Sequence, residues 1–480
     1  MGCIVHVASE VFPYSKTGGL ADVVGALPEA QAGLGHRTHV ITPFYRTVRE
    51  AGIPFRQTDL EFPVTIGPRT CWFQVFRSDR PRGTTVWLLR CDEWFDRDSL
   101  YGPRGQDYPD NAIRFAFFAG AVLRTVEVLD LRPDVVHCHD WQAGLVPLYL
   151  ALAGREDPRR VFTIHNLAYQ GNFPPERLLD AGIPRALFHP GAVEFYGQVS
   201  FLKTGIVFSD QVNTVSPSYA REVLTPERGA GMDGVLRALG PRFRGILNGI
   251  DQETWSPETD PLIPARYSAE DLRGKTACRE ALCREVGLPV PRGPLFGMVG
   301  RMDRQKGHGL VIQALPDLLL TGGAVVVLGS GDETIRKAWE QARQEHPDRV
   351  ALRVGMDEAL AHRIEAGADA FLMPSEYEPC GLNQMFSLRY GTLPLVRAVG
   401  GLADTVRDVD EDPEGGNGIR FRSFDREALG RALLRAGWLW QDPNQWDRVR
   451  RRGMAEDFSW HRSARDYDDL YRAAEEGRTT

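Results

Sequence analysis

Lysine is nearly missing from this chain. Of 57 basic residues in 480, only five are lysines: Lys16, Lys203, Lys275, Lys306 and Lys337. Arginine therefore covers the need for solvated positive charge. Paired cysteines are missing too. Seven cysteines (Cys3, Cys71, Cys91, Cys138, Cys278, Cys283 and Cys380) are an odd number at irregular spacing. With no CxxC among them, neither a zinc site nor a disulfide framework is supported, and a reducing compartment is expected. Excess positive charge is absent: the formal net charge of −7 gives no basic face for a nucleic acid. The longest apolar run, FAFFAGAVL (Phe115 to Leu123), lies between Arg114 and Arg124. It falls far short of the ~20 residues a membrane-spanning helix needs, and reads as a core helix. Near the N-terminus, CIVHVASE reads as a strand rather than a signal peptide, and His6 stands where N-myristoylation of Gly2 would want Ser or Thr. A soluble, cytoplasmic protein without membrane or nucleic-acid partners is expected. There is no low-complexity segment and no short-period repeat.

What is present is an ordinary globular composition, 42% hydrophobic and 25% charged. A chain this long exceeds the ~250–300 residues at which single cores stop growing, so two domains are expected. Short apolar runs alternate with helix-length segments throughout. In the first half strands are expected near CIVHVAS, THVITP, TTVWLLR, DVVHCH, VFTIHN and QVNTVS. In the second they recur near LFGMVG, AVVVLG, VALRVG, AFLMPS and LPLVRA. Two series of βαβ units predict an α/β chain with two doubly wound domains. Turn residues and prolines cluster at Gly245 to Pro264, which places the boundary there: residues 1–248, 249–456 and a helical tail, 457–480, with apolar spacing at Phe458, Tyr467, Leu470 and Tyr471.

Open α/β sheets bind ligands beyond the carboxyl ends of their strands, and those ends are rich in polar residues here. The first half ends its strands in His139-Asp140-Trp141, His165-Asn166, Ser216, Asn248 and Asp251. The second ends them in Arg301, Gly329 to Asp332, Ser375 to Glu378 and Gly400-Gly401. Two such rims facing each other would make one cleft. The pentapeptide GGLAD occurs twice, in KTGGLADVV and VGGLADTV. Each copy is expected to be a strand-to-helix turn with backbone N–H groups turned inward, although glycine turns of this kind are also common capping chemistry. Lys16 and Lys306 stand at two such turns, SKTGG and RMDRQKGHG. Lysine suits a phosphate as a point charge and arginine grips one with a planar fork, so Arg301 and Lys306 could clamp a diphosphate.

Eight motifs in register, KTGGLADVVGALP, HDWQAG, TIHNLAYQG, FLKTGIVFSD, LNGIDQETW, GRMDRQKG, SEYEPCGLNQM and GTLPLVRAVGGLADTV, together resemble the bacterial glycogen synthase and plant starch synthase family. The resemblance runs from about residue 3 to residue 462. It implies the GT-B architecture, two Rossmann-like domains around a deep cleft, with the C-terminal helix crossing back to the first domain. It also implies transfer of glucose from ADP-glucose to the 4-hydroxyl at the non-reducing end of an α-1,4-glucan such as glycogen, with retention and with no metal or other cofactor.

Carried over by the same resemblance, Lys16, Gly18 and Gly19 lie at the donor diphosphate and sugar, and Arg301 and Lys306 neutralise the charge growing on ADP. Glu378 holds hydroxyls of the donor glucose, with the amides after Cys380 and Gly381 beside it. Asn248 lies near the donor pocket and His165 contacts the donor sugar. Asp140 and Trp141 fit the acceptor side, a carboxylate for hydroxyls and an indole to stack on a pyranose. Fixed cations aimed at a leaving group are worth ~10²–10³ in rate apiece. No residue is an obvious β-face nucleophile, so front-side transfer is expected, with the departing phosphate helping to deprotonate the acceptor.

Two positions bear on which branch of the family the chain resembles. Eight residues after Glu378 stands Phe386, where E-x7-E transferases carry a second Glu; this agrees with the glycogen synthase branch. Met356 occupies a position often filled by tyrosine against the adenine, which leaves UDP-glucose, or relaxed donor use, as the alternative donor reading. The histidines around Cys138 suggest a metal at first sight, but strand-end hydrogen bonding is the stronger expectation. Cys380 lacks a base partner and reads as packing. The run Asp408 to Gly418 fails as a calcium loop, since Pro413 and Ile419 hold its sixth and twelfth positions. A Rossmann dehydrogenase is disfavoured because no GxGxxG follows the first strand. A catalytically silent glucan-binding scaffold is disfavoured by the joint presence of Lys16, His165, Arg301, Lys306 and Glu378. Closure hinges are expected near Gly249 to Pro264 and Glu456 to Trp460.

Overall fold

The structure is a computed structural model that describes residues 2–103 and 106–476. The chain divides into two compact units, and the boundaries differ in detail from a simple cut. The first unit comprises residues 1–215, 220–249 and 460–480, the second residues 216–219 and 250–459.

The first unit is built on a nine-stranded sheet. Its order is Phe243–Gly245, Gln211–Thr214, Arg159–Ile164, Val135–His139, Cys3–Val7, Arg37–Pro43, Thr85–Arg90, Arg69–Asp79 and Arg56–Ile66. Arg69–Asp79 runs antiparallel to both of its neighbours, and the other pairings in this sheet are parallel. The central strands are wholly buried and apolar except for His6, His137 and His139, as strands of a parallel sheet covered on both faces. The run FAFFAGAVL lies inside the buried helix Asn111–Val128, and among the described residues no helix is long and apolar enough to cross a membrane. The outer hairpin, Arg56–Ile66 and Arg69–Asp79, was not expected from apolar runs. Its residues alternate between exposed and buried and include Pro63, the pattern of an edge hairpin with one wet face.

The helix Trp460–Glu476 completes this unit. Trp460, Ala464, Tyr467, Leu470, Tyr471 and Ala474 form a stripe at helical spacing, packed on Ile4, Val23, Leu27, Val135, Val161 and Ile246. Its polar face gives the charged remainder of the segment somewhere wet to point.

The second unit has a six-stranded, all-parallel sheet ordered Val350–Val354, Ala324–Gly329, Leu295–Val299, Ala370–Met373, Leu393–Arg397, Ile419–Phe421. All five strands expected in this half are present, and Ile419–Phe421 is an additional edge strand. The segment following Gly249 is firmly held in this unit. Trp255 is sandwiched between His362 and Phe386, at centroid distances of 3.7 and 3.9 Å and interplanar angles of 13° and 11°. Asp260 accepts from His362 Nδ1 (2.7 Å) and from the Tyr390 hydroxyl (2.5 Å).

Candidate functional site

In each sheet the strand order reverses beside a central strand, and ligands of open α/β sheets bind at that point, beyond the carboxyl ends. In the second unit the reversal lies between Leu295–Val299 and Ala370–Met373. The loops leaving these two strands carry Arg301, Lys306 and Glu378. Lys306 Nζ donates to Glu378 Oε2 at 2.7 Å, and Ser375 Oγ donates to the same oxygen at 3.0 Å. The Glu378 side chain is 7% exposed and that of Lys306 25%, so this is a largely desolvated ion pair with an open side. Arg301 is half exposed and reaches Asp303 (3.5 Å) and Gln305 (3.2 Å).

Backbone constraints hold these loops. Gly307 has φ +76°, and a Cβ there would sit 2.2 Å from the Pro374 carbonyl oxygen, so only glycine lets the RQKG loop touch the neighbouring strand end. His308, unnoticed in the sequence, is a further brace. Its Nε2–H donates to the Arg301 carbonyl at 3.1 Å while Nδ1 accepts from Trp339 Nε1 at 3.1 Å. Burial lowers its pKa to about 4, so the ring stays neutral and bridges the two.

The second GGLAD does start a helix, Gly400–Thr405, but its glycines serve close packing. A Cβ on Gly400 would lie 1.8 Å from the Glu378 carbonyl oxygen. Gly401 N–H donates to the carbonyls of Glu378 (3.3 Å) and Pro379 (3.2 Å). The expectation that this N–H faces a ligand is thus corrected: it secures the loop that carries Glu378. Cys380 is buried, and Gln384 Nε2 holds the carbonyls of Cys380 and Gly381 at 3.1 Å each. Met356 is 95% exposed in the turn after Val350–Val354.

In the first unit the order reverses between Cys3–Val7 and Val135–His139. The loop after Cys3–Val7 carries Lys16, Gly18 and Gly19, and Gly18 caps the helix Gly19–Gly33. Lys16 Nζ donates to Asp22 at 2.7 Å and is half exposed. Glu10, which no local motif marks, organises this loop. Its buried carboxylate accepts from the Thr17 N–H, the Thr17 hydroxyl (2.6 Å), the Gly18 N–H (3.2 Å) and the Tyr101 hydroxyl. The Gly18 N–H, like that of Gly401, is therefore used internally. A buried carboxylate with four donors is the signal, and local sequence does not reveal it.

Asp140 follows the strand Val135–His139 with φ +57°. Its Oδ1 accepts from the His165 N–H at 2.7 Å. Burial raises its pKa to about 7, against the opposing backbone hydrogen bonds of His165 and Asn166. Trp141 needs correction. Its indole is 6% exposed, packed by Phe115 and Phe173 at centroid distances of 5.0 and 5.8 Å. The Gly171 backbone leaves only 2.5 Å between a notional Cβ and the ring. With its faces occupied, Trp141 supports the Asp140 loop from beneath and offers no stacking platform. Asn248 is buried, and its Oδ1 has no hydrogen-bond partner among the described residues, an acceptor waiting for a donor.

His137 and His139 belong to a larger buried cluster. Candidate ligand atoms of His6, His137 and His139 lie within 4.8 Å of one another. All six of their ring nitrogens are hydrogen-bonded to neighbours, the strand-end hydrogen bonding that the sequence suggests. Burial keeps His6 near 4 and His165 near 3, and holds His137 and His139 well below the usual imidazole range.

Comparison with known proteins decides the lineage. The family "Starch synthase catalytic domain" matches residues 3–238, and "Glycosyl transferases group 1" matches residues 284–450. A glycogen synthase of Anaeromyxobacter dehalogenans is 50% identical, over 99% of this chain and 100% of its own. The chain belongs to the glycogen synthase and starch synthase family. Glycogen synthase 1 of Methylococcus capsulatus is 48% identical over 98% of this chain and 96% of its own. The solved catalytic domain of starch synthase IV from Arabidopsis thaliana, bound to ADP and acarbose, superposes with a TM-score of 0.92 at 36% identity, covering 99% of each chain. The fold is accordingly GT-B, and the protein is a glycosyltransferase of the glycogen (starch) synthase type that elongates glucan.

Proposed function

We propose that this glycosyltransferase moves glucose from ADP-glucose to the 4-hydroxyl at the non-reducing end of an α-1,4-glucan, with retention and without a metal. The observation that carries the reading is the contact of Lys306 with Glu378 at the strand-order reversal of the second unit, on loops that also carry Arg301. Two cations and a carboxylate there match the two halves of a nucleotide sugar. As the bond to the anomeric carbon breaks, negative charge accumulates on the diphosphate. Arg301 and Lys306 meet that charge, and Glu378 accepts hydrogen bonds from glucose hydroxyls. Preorganised donors of this kind act without reorganisation at the moment of reaction. Met356, exposed at the surface, covers the adenine face, and the amides after Cys380 and Gly381 bind donor sugar or phosphate beside Glu378.

In the first unit, Lys16, Gly18 and Gly19 take the donor phosphates and sugar, and the unpaired Asn248 Oδ1 takes a donor hydroxyl or amine. His165 contacts the donor sugar, while Asp140 binds acceptor hydroxyls. The departing phosphate takes the acceptor proton, which leaves no step for a divalent ion. That the Arabidopsis structure holds ADP supports the donor, and its acarbose supports a glucan-type acceptor. Seven buried free thiols support a cytoplasmic setting.

The experiment is glucose incorporation into glycogen, with ADP-glucose and UDP-glucose in parallel, each with and without EDTA. EDTA-resistant transfer from ADP-glucose is the expected result. Preference for UDP-glucose would move the nucleotide reading at Met356 and keep the chemistry. Glycogen binding without transfer from either donor would favour a scaffold.

A further inference from the structure

The four buried histidines belong to a hydrogen-bonded chain that crosses the first unit, and the chain has a direction. The sheet register assembles it. His6 pairs with His137, His139 with Thr163, and Thr163 with Asn213 across adjacent parallel strands, so all five side chains stand on one face. The helix Gly19–Gly33 brings Gln31 and the helix Trp460–Glu476 brings Tyr467 and Tyr471.

Direction follows from the groups that have no choice. Asn213 Nδ2 faces the Thr214 carbonyl oxygen at 3.4 Å and the Tyr467 hydroxyl at 3.3 Å. A carbonyl only accepts, so the amide nitrogen must point there and Oδ1 must point to Thr163 Oγ1 at 2.7 Å. The single Thr163 proton is thereby committed to Asn213, and Thr163 accepts from His137 Nε2–H at 2.6 Å. His137 Nδ1 is then bare and accepts the Tyr471 proton at 2.9 Å. Tyr471, its proton spent, accepts from Gln31 Nε2 at 2.9 Å. Gln31 Oε1 accepts from His6 Nε2–H at 2.7 Å, His6 Nδ1 from His139 Nε2–H at 3.1 Å, and His139 Nδ1 from His165 Nε2–H at 3.0 Å.

The polarity leaves one end open. His6, His137 and His139 are fully buried, whereas His165 is 9% exposed, and its Nδ1 makes no hydrogen bond among the described residues. We propose that this chain is a polarity lock that fixes His165 as the Nε2–H tautomer, so that its Nδ1 is a permanent acceptor for a hydroxyl of the bound sugar. His139, His6, Gln31, Tyr471, His137, Thr163 and Asn213 are the positioning residues that set it. The depressed imidazole pKa values agree, because four neutral rings keep one tautomer each across the working pH range. The chain is no proton relay: the Gln31 amide cannot pass a proton on without changing its own chemistry. Reversing the polarity would require both amides to turn over together and would place Asn213 Oδ1 against the Thr214 carbonyl. That the acceptor faces a sugar hydroxyl rests on the donor-sugar reading of His165 given above.

The test begins with the unaltered protein, labelled with 15N-histidine, in long-range 15N–1H correlation spectra at neutral pH, His165 being assigned through His165→Ala. The expected result is a protonated Nε2 and a bare Nδ1 at His165. A proton on Nδ1, or a mixture of tautomers, overturns the proposal without any further variant. Two substitutions then test control from a distance. His139→Gln keeps one acceptor and one donor and should retain the His165 tautomer, with kcat/KM for ADP-glucose within about threefold of the parent. His139→Phe removes the acceptor and should mix the His165 tautomers and lower kcat/KM about tenfold, the scale of one hydrogen bond to substrate. An unchanged tautomer and unchanged kcat/KM in His139→Phe would overturn the lock. If the tautomer responds as expected but His165→Ala leaves kcat/KM intact, the lock stands and the donor-sugar role of His165 fails.

Discussion

Asp140 offers the most quantitative prediction, because its cost to the fold and its use to the reaction pull in opposite directions. Its carboxyl is raised from 3.8 to about 7 by burial. An acid whose pKa is raised in the folded state binds more protons folded than unfolded, so stability is lost as pH climbs through the interval between the two values. A rise of about three pKa units corresponds to about 4 kcal/mol at 1.36 kcal/mol per unit, fully lost only above pH ~8. Asp140→Asn removes the charge and keeps an oxygen for the His165 N–H. The variant should therefore be more stable than the parent by about 2–4 kcal/mol at pH ~8, by less at pH ~6, and by nearly nothing at pH ~4. It should also lose activity, because an amide is a poorer acceptor for glucan hydroxyls than a carboxylate. Hydrogen exchange at graded urea, followed by mass spectrometry on the peptide carrying Val135–His139, isolates the first unit from the second. A variant no more stable than the parent at pH ~8, or a difference that does not change with pH, would refute the reasoning.

Four further outcomes are expected. The Lys306–Glu378 pair should show strong coupling: Lys306→Met and Glu378→Gln each lower kcat/KM by ~10²-fold or more, while a double-mutant cycle on Tm gives an interaction of about 1–3 kcal/mol, and strict additivity would dissolve the pair. Gly400→Ala meets the Glu378 carbonyl at 1.8 Å with φ +45° and should destabilise the second unit by about 2–4 kcal/mol. Gly18→Ala, with nothing within 4 Å of the new methyl, should leave Tm alone and weaken donor binding. Glu10→Gln replaces one oxygen that accepts by an amide that donates, which should cost about 1–3 kcal/mol and raise KM for the donor as the Lys16 loop loosens.

The continuous apolar strands were readable because a parallel strand buried on both faces has to be apolar throughout. AVVVLG and AFLMPS announce Ala324–Gly329 and Ala370–Met373 without help from the rest of the chain. The hairpin Arg56–Ile66/Arg69–Asp79 went unread because one wet face dilutes the apolar signal to alternate positions. Lys306 and Glu378 were legible as chemistry, but their contact, across 72 residues, is a product of strand order. Trp141 shows the opposite error. An indole beside a strand-end carboxylate looks like a sugar platform until the Phe115, Phe173 and Gly171 contacts close over it. The histidine chain was the least visible feature. Its members are spread from His6 to Tyr471, and only the register of four parallel strands puts them in line.

The path of the chain bears on how the protein is made. The second unit is almost a single stretch, residues 250–459, inserted into a first unit that needs residues 460–476 to finish its core. A ribosome therefore delivers the whole of the second unit before the first can close. Until Trp460–Glu476 arrives, the face carrying His6, His137 and Thr163 is covered only by the helix Gly19–Gly33 and lacks the phenol that joins Gln31 to His137. The nascent first unit must wait as an incomplete sheet while the later-made unit folds ahead of it, and that interval is when chaperones have most to hold.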